Sequence, residues 1–291
     1  MKAASWRHHY LPQFYLKGFV NTNGKFKIYN VLEQRFIKNG KDFSPESHFF
    51  EIDGNTILLN NEKDDFLETF YSNSDNFASI FFNKIQRSRD VPGFGLTDAD
   101  MPALQYFIAV LFWRNPKNFN KVEILSTNSD LKNLGIKIIN KKGEPIEDLE
   151  LEEKLKQDPN FIKSMKYWIP NATYLTILNC DTPLTIQSFP KGLPSLCSDY
   201  PIIFRNSQNP NVYLDDFIFP LTNDLLLIRA KKINNISTDI KVAIDLIILK
   251  QAINYASCTD KAYIYLLNKY FSDNYNTTEE LIESVFQQLI D

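Results

Sequence analysis

The N-terminal stretch RHHYLPQFYLKGF, residues 7–19, carries two of the three histidines in the chain, side by side at His8 and His9. Aromatic and aliphatic side chains surround them, whereas most N-termini are polar and frayed. Side chains of this kind favour burial, so later parts of the chain must cover the stretch. We therefore expect an N-terminal strap that lies across the fold, with polar residues from distant segments gathered around it.

Size and composition are those of a globular protein. The 291 residues are enough for one large domain or two of ordinary size. A hydrophobic fraction of 44% beside 23% charged residues excludes a disordered chain. The sequence contains neither a P-loop nor a dinucleotide-binding motif, so it does not indicate the nucleotide-binding classes that depend on glycine-rich loops.

Charge and hydropathy limit the partners. The net charge of −3 gives no overall attraction to nucleic acid, so such binding would need a local basic patch. Three cysteines without metal-type spacing indicate thiols in a reducing compartment. The N-terminus lacks the apolar core of a secretory signal, and the longest apolar runs are far below the roughly 20 residues of a spanning helix. We expect a soluble, cytoplasmic protein with no membrane partner.

The first half of the chain is expected to be a hairpin followed by helices. Asn23-Gly24 is a strong turn signal, and residues 25–38 are predicted to form a two-stranded ribbon. Apolar residues at three- and four-residue spacing predict an amphipathic helix from about 62 to 89. Glu68 and Asp75 are seven positions apart and share one face of it. That pair could face a site or simply be solvated.

A second helix is expected from about 98 to 114, apolar nearly all round and therefore buried at the centre of the fold. Arg114 ends it. A guanidinium at the end of a buried helix must find partners. It either caps backbone carbonyls or presents an anion-binding fork to a cleft, and the sequence leaves both roles open. Residues 117–165 are predicted to add one or two further helices.

After Trp168 the pattern changes to strands. They are predicted at 174–179, 185–188, on both sides of Asp199, at 217–221 and at 225–229, followed by a helix over 239–257, an extended piece at 262–265 and a helix over 278–289.

The fold class is α+β, a central helical bundle with a mixed or antiparallel β part and an N-terminal strap plus β-hairpin. We expect a single domain, 1–291, loosely divided into 1–61, 62–165 and 166–291, with a sub-domain boundary near 142–146.

The opening motif HHYLPQFYL, residues 8–16, resembles the signature of a prokaryotic family, domain of unknown function 4238. Further landmarks resemble that family in the same order: Glu68 with Asp75, Arg114-Asn115-Pro116, the run from Cys197 to Pro201, Phe219-Pro220-Leu221, and Asn254. Two residues depart from the pattern, since Asp75 stands where Glu is expected and Tyr200 where Asn is common. The resemblance implies a shared fold and a shared site, and it assigns no activity.

Polar residues at the ends of apolar elements form the candidate site. The candidate catalytic residues are His8, His9, Glu68, Arg114 and Asp199, and the candidate substrate-binding residues are Tyr10, Gln13, Tyr15 and Asn254. Histidines with carboxylates suit general acid–base catalysis or a divalent metal ion, the candidate cofactor. Because successive residues of an extended segment point to opposite sides, the two histidines are not expected to bind one metal together.

Our functional hypothesis is a hydrolase that acts on phosphodiesters, a nuclease with nucleic acid as its partner. In it His8 or His9 is the base, Glu68 and Asp199 orient the base or hold the metal, and Arg114 stabilises the anionic transition state. A role in bacterial defence completes the hypothesis, although no residue supports that part.

Three alternatives stay open. The chain could be a non-catalytic binding or regulatory module with a cleft for a small ligand or peptide. The strap could be purely structural, with Arg114 paired to Asp199. Cys197 beside Ser198 and Asp199 could be a nucleophile, although no motif surrounds it.

Overall fold

A computed structural model describes residues 6–59, 62–88, 100–140, 142–173, 182–188 and 192–290. The helices of these segments, in chain order, are α1 (Gln13–Leu16), α2 (Phe66–Ser88), α3 (Met101–Arg114), α4 (Phe119–Asn128), α5 (Leu149–Gln157), α6 (Pro159–Ala172), α7 (Thr238–Lys250), α8 (Lys261–Asn274) and α9 (Thr278–Ile290). The strands are β1 (Arg7–His9), β2 (Phe26–Asn30), β3 (Arg35–Phe36), β4 (Asp42–Phe43), β5 (Phe50–Ile52), β6 (Ile57–Leu59), β7 (Glu62–Asp64), β8 (Leu184–Ser188), β9 (Leu196–Ser198), β10 (Ile203–Phe204), β11 (Phe217–Thr222), β12 (Leu225–Arg229) and β13 (Tyr255–Cys258).

The chain divides into two compact units. The first comprises residues 1–10 and 50–179, and the second comprises residues 11–49 and 180–291. The division therefore cuts the opening motif immediately after Tyr10. Residues 142–146, where the sequence suggested a boundary, lie inside the first unit.

The first unit is mainly helical. Its central helix α3 packs against α2 and α6, and most of its side chains are buried, as an all-round apolar sequence predicts. Helix α2 begins at Phe66 rather than near residue 62, because β7 pairs with β6 in an antiparallel hairpin. The Asp64 carboxylate then accepts the N–H of Phe66 at 2.7 Å, which marks the start of the helix.

The second unit combines two antiparallel sheets with helices. One sheet has the strand order β10-β11-β12-β8, and the other has the order β3-β2-β13-β9 with β4 also paired to β2. Pairing of β2 with β3 confirms the hairpin predicted for residues 25–38. Helix α7 contacts β9, α8 and α9, and its isoleucines form much of this unit's hydrophobic core.

Two predicted elements in the second unit are wrong. The helix expected over 239–257 ends at Lys250, so Asn254 lies between α7 and β13 rather than in a helix. Residues 262–265, expected to be extended, belong to α8. The Asp260 carboxylate caps that helix by accepting the N–H of Ala262 at 2.9 Å. A strong N-cap and burial of one helical face outweigh the short apolar run that suggested a strand.

The α+β class expected from the sequence is confirmed, since helices and antiparallel sheets both contribute substantially. The strand predicted at 174–179 lies outside the described residues. Among the helices that the structure describes, none combines the length and the apolar character needed to cross a bilayer.

Candidate functional site

Strand β1 directs the two adjacent histidines to opposite sides. It pairs antiparallel with β5, with His8 opposite Glu51 and His9 opposite Phe50. Side chains alternate along a strand, so one histidine faces each way, as expected. His8 is buried, with 2% of its surface exposed, and the His9 ring lies beside that of Phe50 with the centroids 5.5 Å apart.

The His8 ring is held in one tautomer. Its Nδ1 accepts the backbone N–H of Asn55 at 2.9 Å, so the proton of the neutral imidazole lies on Nε2. The Asn55 side-chain amide in turn donates to Oε2 of Glu68 at 3.0 Å. Asn55 therefore connects the strap to the face of α2. Because the Nδ1 lone pair is already bonded, this geometry suits His8 to positioning better than to proton abstraction.

Arg114 lies at the end of α3 with its guanidinium almost fully buried; 1% of the side chain is exposed. Nε donates to the carbonyl oxygen of Tyr10 at 2.9 Å, and Nη1 donates to Oδ1 of Asp75 at 2.9 Å. The guanidinium carbon stands 5.3 Å from the centroid of the Tyr71 ring. Within the described residues, Nη2 has no hydrogen-bond partner. A buried cation thus keeps unused donor capacity.

One face of α2 lines this guanidinium. Glu68, Tyr71 and Asp75 follow each other at intervals of three and four residues, which places them on one side of the helix. Tyr71 is buried, and its hydroxyl has no hydrogen-bond partner in the part of the chain that the structure describes. Burial raises the pKa of Tyr71, so the hydroxyl keeps its proton and is a donor.

Asp75 is a carboxyl of the site whose pKa is shifted. Burial raises the pKa of this carboxyl, the neighbouring Arg114 opposes the rise, and the negative charge of Glu68 adds to it. Its side chain is 23% exposed, so the carboxyl borders both the buried guanidinium and solvent. A carboxyl whose pKa is raised and that borders solvent beside a fixed cation is a candidate for proton transfer.

Together these residues form what we call the Arg114 cluster: His8, Asn55, Glu68, Tyr71, Asp75 and Arg114. The cluster joins β1, the turn after β5, α2 and α3, all within the first unit. It offers an N–H of Arg114 and the O–H of Tyr71 as unused donors, with the Asp75 carboxyl beside them. Such a donor set is suited to a carboxylate or phosphate oxygen.

Asp199, in the second unit, has a different kind of environment. Its Oδ1 accepts the backbone N–H of Ile253 at 2.8 Å, and its Oδ2 accepts those of Asn254 and Tyr255 at 2.7 and 2.9 Å. The carboxylate thus fixes the connection between α7 and β13 to the end of β9. These bonds assign a structural contribution to Asp199, and the backbone of Asn254 shares in it.

The remaining candidates of the second unit are Gln13 and Tyr15. Gln13 is the exposed first residue of α1. Tyr15 is fully buried, and its ring stacks on Phe219 with the centroids 5.1 Å apart. A side chain packed in this way is not available to stack on a nucleobase. Cys197 donates from Sγ to the Tyr15 hydroxyl at 3.6 Å, and burial raises the pKa of this thiol to about 12. It therefore stays protonated and is a poor nucleophile.

The structure thus brings His8, Glu68 and Arg114 into one cluster, with the Tyr10 carbonyl as a further partner. Across the described segments, no three His, Cys, Asp or Glu side chains are grouped as ligands for a metal ion.

Three members of the cluster were not among the predicted site residues. The sequence had already paired Asp75 with Glu68 on one helical face, and Tyr71 could have been found because it lies on the same face. Asn55 could not, because it contributes through a turn whose sequence carries no site signal.

Residues 7–254 match the model of a protein family of unknown function, DUF4238. The match includes the opening motif, the whole Arg114 cluster and Asp199. No curated protein matches the chain significantly, and no solved structure does so either.

Proposed function

We propose that the protein, which belongs to the DUF4238 family, is a hydrolase that acts on phosphodiesters and uses the Arg114 cluster as its site. One observation carries the proposal: the buried Nη2 of Arg114 and the buried hydroxyl of Tyr71 both lack hydrogen-bond partners among the described residues. A buried donor without a partner costs free energy, about 1–3 kcal/mol for each group. An anionic ligand that accepts from both donors would remove that cost.

The roles within the cluster follow from its contacts. Arg114 and Tyr71 donate to the non-bridging oxygens of a phosphodiester and stabilise the charge that grows in the transition state. Water attacks the phosphorus and the P–O bond to the leaving oxygen breaks, while the Asp75 carboxyl, whose pKa burial raises, passes the proton of the water to the leaving oxygen. Glu68 and His8 act through Asn55 and position the face of α2. In this proposal the partner is nucleic acid, the activity is that of a nuclease and the compartment is the cytoplasm.

The test is cleavage of labelled single-stranded RNA and DNA, and of bis(p-nitrophenyl) phosphate, by the purified chain. Tyr71→Phe should lower kcat/KM about a hundredfold, the usual effect of removing one donor to a developing charge. Asp75→Asn should lower it by a similar or larger factor. Tyr106→Phe is the matched control, since it removes a hydroxyl that donates to Asn171 outside the cluster. No cleavage by the wild-type chain, or equal cleavage by Tyr71→Phe, would refute the proposal.

A second candidate function is a binding module for a small anionic ligand or an acidic peptide. The bonded Nδ1 of His8 favours it, because the cluster then lacks an imidazole base. Inorganic phosphate should in that case raise the Tm of the wild-type chain without any turnover. The same rise should be absent in Arg114→Lys, in which the donor fork is lost.

A further inference from the structure

The second unit contains a surface cleft that the proposed hydrolytic site does not use. It lies between the turn that follows β2, the C-terminal end of α7 and the side of α8, and its volume is about 570 Å³. That volume falls within the roughly 300–1,000 Å³ of small-molecule sites. All residues that line the cleft belong to this unit, so it is independent of the Arg114 cluster.

Lys250, the last residue of α7, is one of the residues that line the cleft. Nζ donates to Oδ1 of Asn268 at 2.9 Å and stands 4.5 Å from the ring centroid of Phe271. No carboxylate forms an ion pair with it in the described segments of the chain. Burial lowers the pKa of Lys250. The cation is therefore partly desolvated and has no carboxylate partner among the described residues.

Asn268 connects this cation to the aromatic wall. Its Nδ2 donates to the hydroxyl of Tyr29 at a long 3.5 Å, while its Oδ1 is occupied by Lys250. The favourable position of a cation at a helix C-terminus accounts for a lysine at the end of α7. It does not account for the amide that holds the ammonium group at the cleft.

Apolar surface flanks the cation. Tyr265 on α8 is 55% exposed, and Leu32 in the turn after β2 is 74% exposed. The Tyr265 ring is held by an edge contact with Phe36, with the centroids 5.9 Å apart. An exposed but oriented ring of this kind offers a flat face to a ligand.

We propose that this cleft, the Lys250 cleft, binds a small molecule that joins one anionic group to a planar apolar ring. The anion pairs with the Lys250 ammonium, and the ring packs between Tyr265 and Leu32. A carboxylate and a phosphate share the required chemistry, so aromatic acids and mononucleotides are the two sources of such a ligand.

Isothermal titration calorimetry on the full chain tests the proposal with adenosine 5′-monophosphate and with indole-3-acetate. Adenosine and inorganic phosphate serve as probes that keep only the ring or only the anion, and both should bind more weakly than the complete molecules. Tighter binding of adenosine 5′-monophosphate would identify the ligand as a mononucleotide, and tighter binding of indole-3-acetate would identify it as an aromatic acid.

Lys250→Gln should weaken the Kd about tenfold or more, because the anion loses a charged donor. Lys250→Arg should retain most of the affinity. Lys269→Gln is the matched control, because Lys269 is an exposed lysine of helix α8 that does not line the cleft. Tyr265→Ala should weaken binding, whereas Tyr270→Ala, another exposed tyrosine of α8, should not.

Circular dichroism of each variant establishes that it is folded. The proposal is overturned if neither complete probe binds with a Kd below about 1 mM, or if folded Lys250→Gln binds as tightly as the wild type. Binding that is lost in Arg114→Lys but kept in Lys250→Gln also overturns it, since the probe would then occupy the Arg114 cluster.

Discussion

Arg114 and Asp75 form a salt bridge of 2.9 Å between the end of α3 and the face of α2, across 39 positions of the sequence. The guanidinium is buried and the carboxylate borders solvent, so the pair connects the interior of the first unit to its surface. The Tyr10 carbonyl fixes the same guanidinium from the strap.

Arg114→Ala should destabilise the protein by about 3 kcal/mol, because it leaves Asp75 without its cation and the Tyr10 carbonyl without its donor. Arg114→Lys should also destabilise it, since an ammonium group cannot reproduce the two-sided fork. Urea denaturation measures both. Lys132→Gln breaks an exposed pair with Glu147 and should show no measurable change. A loss in Arg114→Ala as small as in this control would mean that the buried salt bridge does not stabilise the fold.

Asp75 should make stability depend on pH. Burial raises its pKa in the folded state above the unfolded value of about 3.9. Its contribution to the free energy of unfolding is therefore fully present below that value and is lost as the pH rises through the folded pKa. Compared with Asp75→Asn, the wild type should lose stability as the pH rises from the unfolded value of about 3.9 through the folded pKa. Urea denaturation of both proteins across this range isolates the effect. A difference that grows with pH would instead show that the attraction of Arg114 outweighs burial.

Tyr71→Phe should leave the free energy of unfolding unchanged or raise it by about 1 kcal/mol, because the buried hydroxyl has no partner among the described residues. The same change should abolish stabilisation by phosphate. Thermal unfolding with and without phosphate separates these effects. Destabilisation of more than about 1 kcal/mol without ligand would reveal that the hydroxyl is bonded in solution.

His8→Ala should destabilise the protein by about 2 kcal/mol, since it leaves the buried N–H of Asn55 without an acceptor. His8→Asn should recover part of that loss, because its side-chain oxygen stands near the position of Nδ1. Hydrogen exchange of the Asn55 amide checks the cause directly. Exchange should be fast in His8→Ala and slower in His8→Asn, and equal rates in the two variants would contradict the assigned bond.

Asp199→Ala should destabilise the protein by at least about 3 kcal/mol, because three backbone N–H groups lose their acceptor together. Asp273→Ala, at an exposed position of α8, should stay within about 0.5 kcal/mol of the wild type. Urea denaturation distinguishes the two. If Asp199→Ala keeps full stability but loses phosphodiesterase activity, the structural role is wrong and Asp199 is a catalytic residue.

Local patterns predicted most of the elements correctly. The period of the apolar residues predicted α2 and α3, and the strand pattern of residues 25–38 predicted the pairing of β2 with β3. One error occurred where a side chain distant in sequence overrides local propensity. Asp199 takes the N–H groups that would have prolonged α7, and no local pattern near residue 253 reveals this.

For the candidate site, too, local patterns predicted part of the arrangement and contacts between distant residues decided the rest. Spacing alone placed Glu68 and Asp75 on one helical face, and strand alternation alone separated His8 from His9. Neither pattern indicates which guanidinium that face meets or which histidine nitrogen is bonded.

The sequence by itself determined the α+β class, the amphipathic face of α2 and the family resemblance, since each depends on residues close together in the chain. Only the tertiary structure decided that Asp75 bonds to Nη1 of Arg114, and that Asn55 joins His8 to Glu68. The physical reason is that a buried polar group takes whichever partner the packing of distant segments brings within about 3 Å, and local sequence does not encode that distance.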